Sequence, residues 1–430
     1  MKIKIERFGP IREFTYDLDK DLIITYGNNN IGKSYAMQIV YLLLKAFSGD
    51  LYEQRQFYIE LLFSRHIVSN FRDKKLEGLL QDFMKAGESV KDISDIINME
   101  VYEGLGDMLL PDFMNSCHNT FGNFERTLEQ TPLIHVRHNE FAFVINLKLK
   151  KIEGTIDSEG IRLKKADSDF HKSGNERDYF DICVAEDIES SIAILYEQVQ
   201  KRLAACVESI AALFDGIHFL PASRSGIYSG MNAFGAIVAE LSKNRTYFTK
   251  KIEFPGISEP ISDYFISLSN IKSGINEELR SYFTQIEDEV LKGKVIFDKG
   301  KNALLYKPQN MEADFEMTEV SSMVSEISPI VAFLKYILGS QKKQEKRGKS
   351  ILFIEEPEAH LHPNNQIALM EIFAGLIHAD VKLIMSSHSN YVFNKLNNLI
   401  LGGVLDYNVY QPIVLVDSEN GSTSKILPMD

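Results

Sequence analysis

Residues Gly27, Asn28, Asn29, Asn30, Ile31, Gly32, Lys33 and Ser34 follow the spacing G-x-x-x-x-G-K-[ST]. Glycines at those two places let backbone N–H groups close around phosphate oxygens. Lys33 has the charge and reach for the β and γ phosphates, and Ser34 offers a hydroxyl to Mg²⁺. The chemistry is nucleoside triphosphate binding, with Gly27 through Tyr35 as the binding stretch. An ordinary turn before a capped helix is the competing reading. The flanks favour the phosphate loop, because an apolar run Leu22 to Tyr26 leads into it, and Met37, Val40, Tyr41, Leu44 and Phe47 follow it at helical spacing.

A second group of reactive side chains lies more than 300 residues further on, in ILFIEEPEAHLHP, Ile351 to Pro363. The apolar strand Ile351 to Ile354 delivers Glu355 and Glu356 to its end, where a carboxylate pair is costly unless a metal or a reactive water needs it. Neighbouring side chains on a strand point to opposite faces, so the two glutamates are expected to have different tasks. Glu355 would support Mg²⁺, directly or through water, and Glu356 would polarise the attacking water as general base. A strand running out into solvent is the bland alternative. In LIMSSHSN another buried strand, Val381 to Met385, ends at Ser386, Ser387 and His388. Ligands of parallel α/β sheets bind at the carboxyl ends of strands, so His388 could reach the same γ phosphate; a capping or core histidine is the competing reading.

The elements that must position these groups can be read coarsely. Strands are expected at Lys2 to Phe8, Ile11 to Leu18 and Leu22 to Tyr26, with helical, polar-faced sequence from about 50 to 135. Strands follow from Phe141 to Leu163, then a polar loop to Arg177, a helical stretch from Ile188 to Phe214 and a short strand His218 to Leu220. The loop PASRSGIYSGM and more helices lead to strands at Lys294 to Asp298 and Ala303 to Lys307. A helix from Ser322 to Leu338, a helix opened by Pro363 at its first turn and a final hairpin around Asn420-Gly421 complete the reading. No internal repeat and no sustained heptads are visible.

Composition bounds what such a chain can be. In 430 residues, 44% are hydrophobic and 10% aromatic, enough for a sizeable core and too much for a disordered scaffold. With 47 Lys and Arg against 60 Asp and Glu, the net charge of −13 argues against a general nucleic-acid coat protein. Nucleic-acid contact would need a local patch. Lys243, Arg245, Lys250 and Lys251 around Tyr247 and Phe248 are the better candidate, and Lys342, Lys343, Lys346, Arg347 and Lys349 the other, although charge runs are usually solvated surface. Cys117, Cys183 and Cys206 suit neither a disulfide framework nor a zinc cluster. No signal peptide and no membrane-spanning run is evident, so a cytoplasmic location without membrane attachment is expected.

MKIKIERFGPI, GNNNIGKS, FLPASRSGI, SSMVSEISPI, IEEPEAHLHP and SSHSN occur in the order seen in ABC-type ATPases of the SMC and Rad50 kind. The chain most closely resembles the OLD-like ATPases of prokaryotic anti-phage defence, including the ATPase subunits of Septu, PARIS and retron-associated systems. The resemblance covers about 1 to 48 and 294 to 400, with an anchor near 218 to 227. It implies an α/β ABC-type (P-loop) ATPase head with a split sheet. Residues 1–48 would form one half of the head and 294–430 the other. Between them, 49–293 would be an inserted, mainly helical segment with some strands, returning to the head at 218–227.

Carried over residue by residue, the resemblance makes Lys33 and Ser34 the Walker A pair, Glu355 the Walker B acid, Glu356 the catalytic glutamate and His388 the switch histidine. Val320 to Val324 would be the signature-like loop that meets the γ phosphate of an opposing subunit, through Ser321 and Ser322. These serines lack the paired glycines of transporter signatures and could equally be an N-cap pair. Arg224 falls in a loop that couples nucleotide to the inserted segment; a buried salt bridge is the alternative. Phe8, Ile11 and Arg12 lie in the base-contacting region. His360 and His362 with Glu358 have too few neighbouring ligands for zinc and are expected to shape a subunit contact, and His135 and His138 are poor metal candidates too.

The resemblance further implies ATP and Mg²⁺ as ligands and a head-to-tail, ATP-linked dimer or higher oligomer. A separately encoded effector, a nuclease or other toxin, would be the regulated partner. Several OLD-like proteins carry a TOPRIM nuclease after the head, but the chain ends 42 residues beyond His388, so a head without TOPRIM is expected. A DNA-repair ATPase acting directly on DNA ends and a nucleotide-gated scaffold with little turnover are the alternative functions.

Overall fold

The computed structural model describes residues 1–48, 73–165, 179–184, 188–230, 257–271, 274–338, 348–419 and 421–427. Both basic clusters fall outside them except for Lys349, so the nucleic-acid patch is not addressed by the structure. The strands in chain order are β1 (Lys2–Phe8), β2 (Ile11–Asp17), β3 (Leu22–Tyr26), β4 (Val90–Asp92), β5 (Leu133–His138), β6 (Phe141–Asn146), β7 (Lys151–Ile156), β8 (Gly160–Lys165), β9 (Tyr179–Val184), β10 (Phe214–Leu220), β11 (Gly293–Asp298), β12 (Ala303–Pro308), β13 (Phe315–Glu316), β14 (Lys349–Glu355), β15 (Val381–Ser387), β16 (Tyr410–Ser418) and β17 (Gly421–Ile426).

Among the described residues eleven strands form one sheet in the order β10-β14-β15-β3-β16-β17-β2-β1-β5-β6-β7. The half from β10 to β16 is parallel, and antiparallel pairing dominates beyond it, interrupted only where β17 runs parallel to β2. The parallel half joins β3 from the start of the chain to β14, β15 and β16 from its end. The P-loop α/β architecture with a split sheet is therefore the observed one.

The alternation of β3, β14 and β15 divides the core into two layers. Ile23, Ile351, Phe353 and Ile384 pack on one face with Met37, Val40 and Leu44 of helix Lys33–Phe47. Leu22, Ile24, Leu352, Ile354, Leu383 and Met385 pack on the other with residues of helices Ser322–Ala332, Pro363–Leu376 and Asn390–Leu401. Both faces are covered, which is why these strands read as unbroken apolar runs.

The span between the two halves contributes more to the sheet than a single return near 218. Strands β5, β6 and β7 continue it from β1, with Ile5 opposite Ile134 and Val144 opposite His135. Helix Ser94–Thr120 packs on them, its Tyr102 hydroxyl donating to the Thr155 carbonyl at 2.9 Å. One local expectation is corrected: the segment after Leu220, read as a loop, is helical over 224–230. The helix from Ser322 runs as far as expected, with π-helical geometry over Phe333–Ile337, where Lys335 forms a buried ion pair with Glu287 at 2.9 Å.

Candidate nucleotide site

Register places the three motifs side by side. Glu355 of β14 is opposite Ser386 of β15, and Ser387 is opposite Tyr26 of β3, so Gly27, Glu356 and His388 all leave one edge of the parallel sheet. The loop after β3 has the backbone its sequence demands. Gly27 has φ 149°, and a Cβ there would lie 2.4 Å from Ile31 Cδ1. Asn30 has φ 63°, and Gly32 has φ 99° beside the side chains of Pro10 and Ile11. Asn28, Asn29 and Asn30 are exposed at the mouth, whereas Ile31 is buried, and its carbonyl accepts from Ser422 Oγ at 2.6 Å.

Lys33 Nζ lies inside this loop. It donates to the carbonyls of Gly27 at 3.0 Å and Asn28 at 2.7 Å, and it sits 3.4 Å from His388 Nδ1. Burial holds its pKa below the usual lysine value, while the charges of Glu356, Glu358 and Glu355 pull it back upward. An ammonium offers no acceptor, so Nδ1 accepts; the remaining ring N–H is then on Nε2, 3.1 Å from Glu356 Oε1. Lys33, His388 and Glu356 form one line of polar contacts.

The two glutamates have different surroundings, one buried and one partly exposed. Glu355 ends β14 at 5% exposure, with Oε2 accepting from the Ala222 amide at 3.1 Å and the Ser34 side chain near enough to favour its charged form. Burial raises its pKa, and Oε1 is a buried oxygen with no partner. An unsatisfied carboxylate oxygen beside a serine hydroxyl suits Mg²⁺, which takes oxygen ligands and few protein side chains. Glu356 lies past the strand, with φ 46° and a side chain 40% exposed. That left-handed backbone costs about 1–2 kcal/mol in a residue with a Cβ. It is held by Glu356 N–H donating to the Ser386 carbonyl at 3.1 Å and by Arg224.

Arg224 is fully buried. Its guanidinium donates to the carbonyls of Pro221 at 3.1 Å, Glu326 at 2.9 Å, Glu355 at 2.7 Å and Glu356 at 3.3 Å. The Glu326 carboxylate lies 3.5 Å from Arg224 Nε and caps the helix at 224–230 by accepting from the Arg224 and Ser225 amides and the Ser225 hydroxyl. The geometry is that of the buried salt bridge, with the main chain of the two glutamates as its load.

The other expected residues make contacts of their own. Ser321 is the N-cap of helix Ser322–Ala332, its Oγ accepting from the Val324 amide at 3.4 Å, and both Ser321 and Ser322 are exposed. Tyr35 packs its ring 5.1 Å from Phe121 and 6.2 Å from Phe8. Phe8 and Ile11 are buried and Arg12 is exposed, so of these three only Arg12 presents a side chain to solvent. His362 N-caps the helix from Pro363, accepting from the Asn364 amide at 3.4 Å, and among the described residues no three His, Cys, Asp or Glu side chains form a metal-like group. His138 Nε2 lies 3.1 Å from the Ser209 carbonyl, and His135 is 3.5 Å from Glu6.

Sequence reasoning missed Glu326 and Ser422 and weighed Glu358 only in company with His360 and His362, for zinc or a subunit contact. Glu358 stands in the acidic motif, and its spacing was a usable signal. Ser422 had none, because its partner carbonyl is 391 positions away. No helix among the described residues is long and apolar enough to cross a membrane.

The Old nuclease of Escherichia phage P2 is 24% identical over 168 residues, which are 36% of this chain and 28% of that protein, so the match spans little more than a quarter of the relative. Among solved structures, an Smc head bound to the C-winged helix domain of ScpA aligns with a TM-score of 0.41 at 9% identity, over 100% of this chain and 97% of that one. The SMC head domain from Thermotoga maritima aligns with 0.37 at 8% identity, over 99% and 98%. A family model described as AAA ATPase domain matches residues 1–393, which takes in β1 through the opening of the helix after His388. Since that match runs through most of the molecule and contains all three strand-end motifs, the chain belongs to the AAA ATPase domain family.

Proposed function

We propose that this protein binds ATP with Mg²⁺, hydrolyses it, and uses the cycle to govern a separate effector protein in anti-phage defence. The observation that carries the catalytic part is the line Lys33, His388, Glu356 at the edge of the parallel sheet, with Glu355 buried beside Ser34.

Lys33 is a positive group now satisfied by two loop carbonyls, which the β and γ phosphates would replace. The amide groups of the loop and of the start of helix Lys33–Phe47 face the phosphate chain. Ser34 and Glu355 would hold Mg²⁺, which when bound neutralises charge on the phosphate oxygens. Glu356 takes the proton of the attacking water. His388 orients Glu356 through Nε2–H and stands beside Lys33 where the γ phosphate would lie.

The exposed Ser321 end of its helix supports an ATP-linked head-to-tail dimer, since a helix N-terminus can accept a phosphate from an opposing subunit. The charge of −13 favours a protein over a nucleic acid as the regulated partner. The test combines Mg²⁺-dependent ATP turnover of the purified chain with co-purification of the neighbouring gene product, with and without ATP. Turnover with nucleotide-dependent complex formation is expected. Turnover stimulated by DNA ends and steeply salt-dependent, with no protein complex, would replace the effector reading by DNA repair; wild-type cellular function in Glu356→Gln would replace it by a scaffold.

A further inference from the structure

Glu358 is 8% exposed, and its Oε1 accepts from the Ser387 hydroxyl at 2.6 Å and from the His388 amide at 2.8 Å, while Oε2 is buried without a hydrogen-bond partner. A buried carboxylate that spends one oxygen on two donors and leaves the other bare is an expensive way to fill space. What it secures is the main chain at the end of β15, where the chain passes from strand into the loop that carries His388.

The approach of Glu358 is itself constrained. The turn from β14 has left-handed backbone at Glu356, φ 46°, and at His360, φ 62°. It is closed by Ala359 N–H to the Glu356 carbonyl and Leu361 N–H to the Glu358 carbonyl, each at 3.1 Å. The same turn thus holds Glu356 on one side and the backbone of His388 on the other. The ring of His388 must meet Lys33 with Nδ1 at 3.4 Å and Glu356 with Nε2 at 3.1 Å at once, and an error of about 1 Å in its backbone would break one of the two contacts. Ser387 Oγ, fixed by Glu358, also accepts the Ser389 amide at 3.1 Å, so the anchor extends to the N-cap of helix Asn390–Leu401.

The geometry points to Glu358 as a positioning residue for ATP hydrolysis: it sets the backbone of His388 so that the ring spans Lys33 and Glu356. Its one partnered oxygen is held by the Ser387 hydroxyl and the His388 amide, so it acts through His388. This rests on the ATPase reading above. The acceptor oxygen, not the charge, is what the role requires, so an amide in its place should serve.

The experiment uses the full-length chain with Glu358→Ala, Glu358→Gln, His388→Ala and the double Glu358→Ala/His388→Ala. Expected are a fall in kcat of about tenfold or more for Glu358→Ala with KM for ATP within about twofold, and Glu358→Gln within about threefold of wild type. The double variant should be no slower than His388→Ala alone, because both act through one ring. Losses that multiply, a Glu358→Gln as slow as Glu358→Ala, or a raised KM with kcat intact would overturn the proposal. Should Glu358→Ala not fold, Glu358→Asp, with the charge kept and the reach shortened, takes its place in the same cycle with the same outcomes. If the wild type shows no turnover, the proposed function fails separately, and histidine ¹⁵N NMR decides the role of Glu358. A His388 ring held as the Nε2–H tautomer in wild type and Glu358→Gln but averaged in Glu358→Ala supports it, and identical spectra refute it.

Discussion

Arg224 Nη1 donates to the carbonyl oxygen of Glu355 across 2.7 Å, gripping the main chain of the acidic pair while leaving both carboxylates to the site. Because its Nε donates to the Glu326 carbonyl and its own amide to the Glu326 carboxylate, the arginine ties the end of β14 to helix Ser322–Ala332, whose N-cap is Ser321. One side chain therefore joins the main chain of Glu355 and Glu356 to the helix that Ser321 opens.

Arg224→Ala leaves the Glu326 carboxylate buried without its charge partner. Breaking a buried pair in this way costs about 3–5 kcal/mol, and the denaturant midpoint should fall accordingly. Arg224→Lys keeps the charge but cannot bridge four carbonyls, so it should fold and still lose turnover. An Arg224→Ala protein within 1 kcal/mol of wild type, by the linear extrapolation of urea unfolding, would show that the network contributes little.

Lys33→Ala and Glu356→Gln should separate binding from chemistry. The first removes the charge aimed at the phosphates, and binding of a fluorescent ATP analogue should be lost. The second keeps the hydrogen bond to His388 but cannot accept a proton, so turnover should drop about 10²- to 10⁴-fold with nucleotide affinity retained. Light scattering of Glu356→Gln with Mg²⁺-ATP should then show a dimer. Unchanged turnover would remove Glu356 from the role of base.

Glu355 yields a pH signature in the nucleotide-free protein. Burial raises its folded-state pKa above the usual carboxylate value, so in the window above that value the native state keeps a proton the unfolded chain has released. Its contribution to stability therefore declines as pH rises through the window. Glu355→Gln retains an acceptor for the Ala222 amide and removes the buried charge. It should raise Tm near neutral pH, flatten the pH dependence of stability and abolish Mg²⁺-dependent turnover. A lowered Tm in Glu355→Gln at neutral pH would contradict this sign.

Ser422→Ala deletes the donor to the Ile31 carbonyl in the phosphate loop, a buried hydrogen bond of 2.6 Å. The expected cost is about 1–2 kcal/mol. Since Ile31 shapes the loop and takes no part in proton transfer, KM for ATP should rise while kcat holds, measured by steady-state kinetics at saturating Mg²⁺. A fall in kcat at constant KM would place Ser422 in the chemistry.

Local chemistry made part of this molecule legible from sequence. Gly27 and Gly32 must take positive φ, and a lysine after the second glycine starts a helix; all of that is encoded within eight residues. The apolar runs of β3, β14 and β15 announced strands buried on both faces, and strand-end logic sufficed to bring Lys33, Glu355, Glu356 and His388 to one edge. Tertiary structure alone decided the rest. Whether Phe8 and Ile11 were free to meet a base depended on Phe121 and on the Gly32 turn packing against them. Which acceptors Arg224 would find beyond Pro221, and that β5 to β7 would extend the sheet from β1, depended on partners roughly a hundred residues or more away. Periodicity names the face an element buries. The neighbour that covers the face is chosen by packing the whole chain, and here that choice set the backbone of Glu356 and His388, on which the site turns.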